Sequence, residues 1–131
     1  MFGTESTGNK VTITAIIITT FLQGVGIALQ GTALSVRAGL TGFSPTVTGL
    51  IMSFYFIGIA CGVLISSRVI KTVGFIRSYS AFASLSSAAA ILYVMIVSPP
   101  AWIILRFIQG LCSSVMLTVL ESWLNVSTSS S

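Results

Sequence analysis

Four apolar runs, each about the length needed to cross a bilayer, constrain this chain more than any other feature. They occupy residues 11–35, 45–66, 77–97 and 101–125 of the 131. A stretch such as VTITAIIITTFLQGVGIALQGTALS is mostly apolar over 25 residues and holds no charge, as a membrane span requires. Charge is scarce throughout. Only 6% of residues are charged and 54% are hydrophobic, with a mean hydropathy of +1.04, whereas a soluble domain carries about 25% charged residues. Lipid must therefore be the solvent. In lipid, every backbone polar group has to be paired within the protein, which leaves helices as the open-ended way across. The expected fold is an all-α integral membrane bundle of four transmembrane helices. A tail at residues 1–10 and a polar end at 126–131, VSTSSS, flank it.

The separators read as turns: RAGLTGFSP, RVIKTVGFI and SPP. Ser44 followed by Pro45 has the pattern of an N-cap and a first-turn proline. Pro99 and Pro100 mark the turn before the fourth span. Basic residues collect on one side. Lys10 precedes the first span, and Arg68, Lys71 and Arg77 fill the second link; Arg37 is alone in the first link, and SPP has no charge. The positive-inside rule then places the N-terminus, the second link and the C-terminus in the cytoplasm of a plasma-membrane protein. Trp102 and Trp123 stand about 31 Å apart along a helix, close to the hydrocarbon thickness. That spacing suggests the two interfacial belts of one span.

The same composition excludes several functions. The net charge of +4 is small and dispersed, which fits topology and not a nucleic-acid partner. There is no histidine, and Cys61 and Cys112 lie in apolar runs without metal-ligand spacing, so no metal and no cofactor is expected. No span holds paired carboxylates, a serine with a base, or a phosphate-binding glycine loop, which argues against an enzyme.

Polar residues within the spans carry the functional signal. In the first, Thr12, Thr19, Gln23, Gln30 and Arg37 recur at near-heptad spacing and share a face; interhelical bonding and a cavity wall both fit. In the fourth, Arg106, Gln109, Gly110, Ser113 and Glu121 fall on one side of the helix. Gly58 and Gly62 form a GxxxG pair in the second span, extended by Gly49 and Ser53, which suits close helix packing. Glu121 ends its span level with Arg68, Lys71 and Arg77, so an ion pair or a proton-carrying carboxyl are both open readings. Arg106 has no acid within reach in the spans. It either snorkels and bonds structurally or faces a water-filled cavity.

Arg106-Phe107-Ile108-Gln109-Gly110 resembles RxxQG, a fourth-helix signature of the major facilitator superfamily. GVLISSRVIKTVGFIR at residues 62–77 is similar to that superfamily's second-link signature, with Gly62, Leu64, Arg68, Gly74 and Arg77 retained and Ser66 in place of the aspartate. VGFIRSY and ESWLN, at residues 73–79 and 121–125, resemble a YcaD-like branch, with Phe75 replacing a histidine. The resemblance implies the first four helices of a twelve-helix secondary active transporter that moves a small-molecule substrate coupled to an ion, with the proton as a candidate. It implies a substrate or coupling path along Arg106, Gln109, Gln23, Gln30 and Ser113. A cytoplasmic gate would involve Arg68, Lys71, Arg77 and Glu121, and helix packing would use Gly58, Gly62 and Gly110. On this reading the chain is an N-terminal piece whose partners are the remaining helices. The alternative is a small four-span protein, either an oligomeric exporter or a non-transport subunit that packs on other membrane helices.

Overall fold

The computed structural model describes residues 2–129, with side chains from 8 to 128. It contains four α-helices: α1 (Phe2–Thr41), α2 (Pro45–Val73), α3 (Phe75–Met95) and α4 (Pro99–Ser129). All four are long and apolar enough to cross a membrane. The chain is thus a multi-pass membrane protein whose helices contact the lipid bilayer.

Each turn has a local cause. At the end of α1, Gly42 takes φ +92°, its N–H bonds Gly39 O, and Phe43 N–H reaches back to Ala38 O at 3.0 Å. This is a Schellman closure, in which the left-handed position suits glycine. Ser44 then caps α2, its hydroxyl accepting from Val47 N–H at 3.2 Å, with Pro45 in the first turn. Gly74, at φ +98°, is the whole link between α2 and α3. Its N–H closes α2 on Ile70 O, and its carbonyl accepts from Ser78 N–H to open α3.

The helices outrun the apolar segments. α1 begins at Phe2, so residues 2–10 are helical and continuous with the first span. α2 runs through Arg68 and Lys71 to Val73, and α4 continues into VSTS. Residues 1, 130 and 131 of the two expected tails lie outside the described residues. Hydropathy marks the thickness of lipid, whereas a helix stops only where its backbone bonding is interrupted.

α4 is the hub, packing against α1, α2 and α3. More than half of its span, 56%, is buried, against 6% for α1. The α2–α4 contact is backbone on backbone. A methyl group at Gly58 would collide with the Phe107 carbonyl, one at Gly62 with Ser114, and one at Gly110 with the Tyr55 carbonyl. Gly49 and Ser53 take no part in it: both are exposed, and Gly49 has open space around it. A second packing centre gathers Leu34, Ala38, Ile51, Ala89, Tyr93 and Leu105 around Trp102. Trp102 is fully buried and donates its indole N–H to Ile96 O at 2.8 Å. It meets Phe43 and Tyr93 edge-on. It is therefore a core residue, and the interfacial-belt expectation fails for it. Trp123 is half-buried and stacks on Phe75 at 6.4 Å.

Candidate functional site

The α1 stripe faces α4 along its length. Thr12 and Thr19 line a groove with Leu120 and Trp123, Gln23 meets Ser113, and the Arg37 guanidinium lies 6.0 Å from the Trp102 ring. The two threonines bond carbonyls of their own helix, at Gly8 and Ala15. Gln23 bonds outward. Its Nε2 donates to Ser113 O at 3.3 Å, and its Oε1 accepts from the Tyr79 hydroxyl at 3.4 Å. One amide thereby ties α1 to both α3 and α4.

Arg106 is 6% exposed and lies about 10 Å along α4 from Pro99. Its Nη1 donates to Gln109 Oε1 at 3.4 Å. Its guanidinium carbon sits 4.2 Å from the centroid of the Tyr55 ring, against the π-face contributed by α2. α1 approaches closely at Gly31, where a methyl group would stand 3.4 Å from Arg106 Nη2. Among the described residues, three buried side-chain polar atoms lack a hydrogen-bond partner: Arg106 Nε, Gln109 Nε2 and Tyr93 Oη.

No carboxylate serves this arginine. The chain's only acids are Glu5 and Glu121. Glu121 is about 22 Å further along α4, and Glu5 is about 39 Å along α1 from the Gly31 level. A tyrosine face takes the place of a counter-ion. A cation over a desolvated ring gains about 2 kcal/mol, comparable with the ~2.5–3.5 kcal/mol that insertion scales assign to a mid-helix arginine.

The expected pathway residues divide between two cavities. One, of about 460 Å³, opens between α1, α2 and α4 and is walled by Ile27, Gly31, Met52, Tyr55, Phe56 and Arg106, among others. The other, of about 230 Å³, lies between α1, α3 and α4 and is lined by Gln23, Gln30, Ser86, Ser87, Ser113 and Met116, among others. Ile27 borders both. Gln109 is buried beside Arg106. Arg106 and Gln109 are thus brought together, as are Gln23, Gln30 and Ser113, but the two sets lie on different sides of α1.

Arg68, Lys71, Arg77 and Glu121 are all exposed, and no ion pair links these four. Arg77 instead shares a shallow pocket with Phe75 and Trp123. The residues missed in the sequence are the tyrosines and the α3 serines. Tyr55 had a readable signal, since it precedes Gly58 and Gly62 at helical spacing and so belongs to their face. Tyr93 had none, because nothing local distinguishes it from a lipid-facing aromatic. Among the described residues, no group of three His, Cys, Asp or Glu side chains could hold a metal ion.

Residues 16–130 match the family description Major Facilitator Superfamily. Similar curated proteins include two described as "Uncharacterized MFS-type transporter YcaD", from Escherichia coli strains UTI89 and O81 ED1a. Each is 28% identical over 101 residues, which is 77% of this chain and 26% of the relative. The chain thus spans about a quarter of the length of these relatives. No solved structure matches.

Proposed function

Because this chain belongs to the major facilitator superfamily, we propose that it supplies part of the cavity of a secondary active transporter for a small solute, with transport coupled to protons. The observation that carries this reading is Arg106. It is buried on a membrane-spanning helix, no acid neutralises it, its Nε has no partner, and it walls a cavity. A purely structural arginine would be expected to satisfy all its donors in the protein or to snorkel to the interface. The curated relatives are about four times as long as the matched stretch, so transport is proposed for a protein of their extent. The function is that of a carrier and not of an enzyme.

The basic residues support an orientation with both ends of the four-helix unit in the cytoplasm of the plasma membrane. There, Arg68, Lys71, Arg77 and Glu121 are exposed and available to a gate formed with helices beyond these four. Gln23, Gln30 and Ser113 form a second polar wall. The alternative of a helix-packing subunit rests on small-residue faces, of which the GxxxG face of α2 is one. Gly58 and Gly62 are already occupied by α4, so that face does not favour an outside partner.

The test is transport by the full-length protein in proteoliposomes, with a pH dye reporting proton flux on addition of a fractionated metabolite extract. Arg106→Ala should abolish the flux that the unmodified protein shows while leaving insertion and monodispersity intact. Undiminished flux in that variant would remove Arg106 from the mechanism.

A further inference from the structure

The unpartnered atoms around Arg106 have a common chemical sense. Arg106 Nε and Gln109 Nε2 carry only donor hydrogens, and the Tyr93 hydroxyl can donate as well. The Gln109 amide is oriented by the bond its Oε1 accepts from Arg106, which leaves its NH₂ as the free end. Among the described residues no side-chain carbonyl or carboxylate oxygen is buried without a partner. Gln109 and Tyr93 stand behind Arg106 and are not part of the cavity wall; the wall itself carries one positive charge, at Arg106, and no acid.

We propose that the cavity between α1, α2 and α4 binds an organic monocarboxylate, with Arg106 as the anchor of its carboxylate and Tyr55 as the positioning residue that holds the guanidinium. This inference rests on the reading of the cavity as a substrate path. A carboxylate presents two oxygens in a plane, which match two donors of a guanidinium fork and make shorter, stronger bonds than neutral acceptors do. One negative charge balances the one cation. A doubly charged phosphate or sulfate would leave a net charge in a low-dielectric site. The remaining wall defines the rest of the ligand. Ile27, Met52, Phe56 and the Tyr55 ring are apolar, and the Thr32 and Ser35 hydroxyls that share the wall donate to carbonyls of their own helix, so the carboxylate should carry a largely apolar body. A volume of about 460 Å³ accommodates a single-ring compound. Tyr55 lies against one π-face of the guanidinium and, like Arg106, walls the cavity.

The experiment uses the full-length protein in nanodiscs and radiolabelled benzoate in equilibrium dialysis. Benzamide and benzylamine serve as neutral and cationic isosteres. Saturable benzoate binding is expected, at least tenfold tighter than benzamide, with no competition from benzylamine. Arg106→Gln should abolish it, and Arg106→Lys should weaken it about tenfold, since an ammonium lacks the planar fork. Tyr55→Leu should weaken it several-fold, whereas Tyr55→Phe, which keeps the ring face, should bind as the unmodified protein does. A merely volume-filling role for Tyr55 would not separate Leu from Phe in this way.

The comparison of the three compounds on the unmodified protein needs no variant to fold. Equal or tighter binding of benzamide or benzylamine overturns the anion class. So does a lack of saturable benzoate binding, or benzoate binding that survives Arg106→Gln. In any of these cases the cavity reading still stands if Arg106→Ala abolishes proton-coupled flux, and falls only if it does not.

Discussion

At Arg106 a cost and a gain nearly cancel. The mid-helix charge costs roughly 2.5–3.5 kcal/mol, and the Tyr55 ring returns about 2 kcal/mol. The bond to Gln109, at 3.4 Å, is long and adds little. The net is close to zero or slightly unfavourable, so Arg106→Met should leave thermal stability in detergent unchanged or raised by about 1 kcal/mol, as replacing buried charge often does. Its loss of transport would then be a loss of function alone. A large fall in Tm would instead mark Arg106 as a structural anchor. Trp102 behaves in the opposite way. It is fully buried with its N–H satisfied, so Trp102→Ala opens a large cavity and should cost about 3–5 kcal/mol. Trp123, half-buried at the far end of α4, should lose much less when truncated, and comparing the two melting curves checks the assignment of Trp102 to the core.

At the level of helices, packing is decided by where backbones touch. Gly58 and Gly62 admit α4, and Gly110 admits α2 in return. Added methyl groups there would meet opposing backbone, which cannot rotate away as a side chain can. Gly58→Ala and Gly110→Ala should therefore lower the melting temperature clearly. Gly49→Ala, in open space on the same helix, should be neutral or stabilising by up to about 1 kcal/mol through helix propensity. Equal effects at Gly49 and Gly58 would contradict the α2–α4 interface. The four-residue rhythm of small residues on α2 was legible in the sequence, but it could not tell which members touch a neighbour. Helical spacing assigns a face, and contact depends on where the second helix crosses it.

For the molecule as a whole, the asymmetry of burial stands out: α4 is enclosed, while α1 keeps most of its span exposed. The proposed orientation is testable at the two kinds of turn. With Cys61 and Cys112 replaced, Ser44→Cys should react with an impermeant maleimide added to intact cells. Thr72→Cys, beside the basic turn at Gly74, should react only after permeabilisation. The reverse pattern would invert the topology and place the Arg68–Arg77 segment outside. The family and the membrane class were readable because RFIQG, ESWLN and four long apolar runs are local properties of the chain. The separation of Arg106 from Gln23 and Gln30 was not, since their stripes were read one helix at a time.

By itself, the sequence determined the solvent, the number of crossings and most of the turns. Those follow from side-chain transfer energies and from the backbone preferences of Gly42, Ser44, Pro45 and Gly74, none of which requires a distant partner. Tertiary structure alone decided that Trp102 is core, that Tyr55 stands in for a counter-ion, and that one polar face of α4 divides between two cavities. A helical face wide enough to carry Arg106, Gln109, Gly110 and Ser113 is wider than one neighbour can cover. Gly110 goes to α2, Ser113 meets α1 and borders the cavity shared with α3, and Arg106 is left at the opening between α1 and α2.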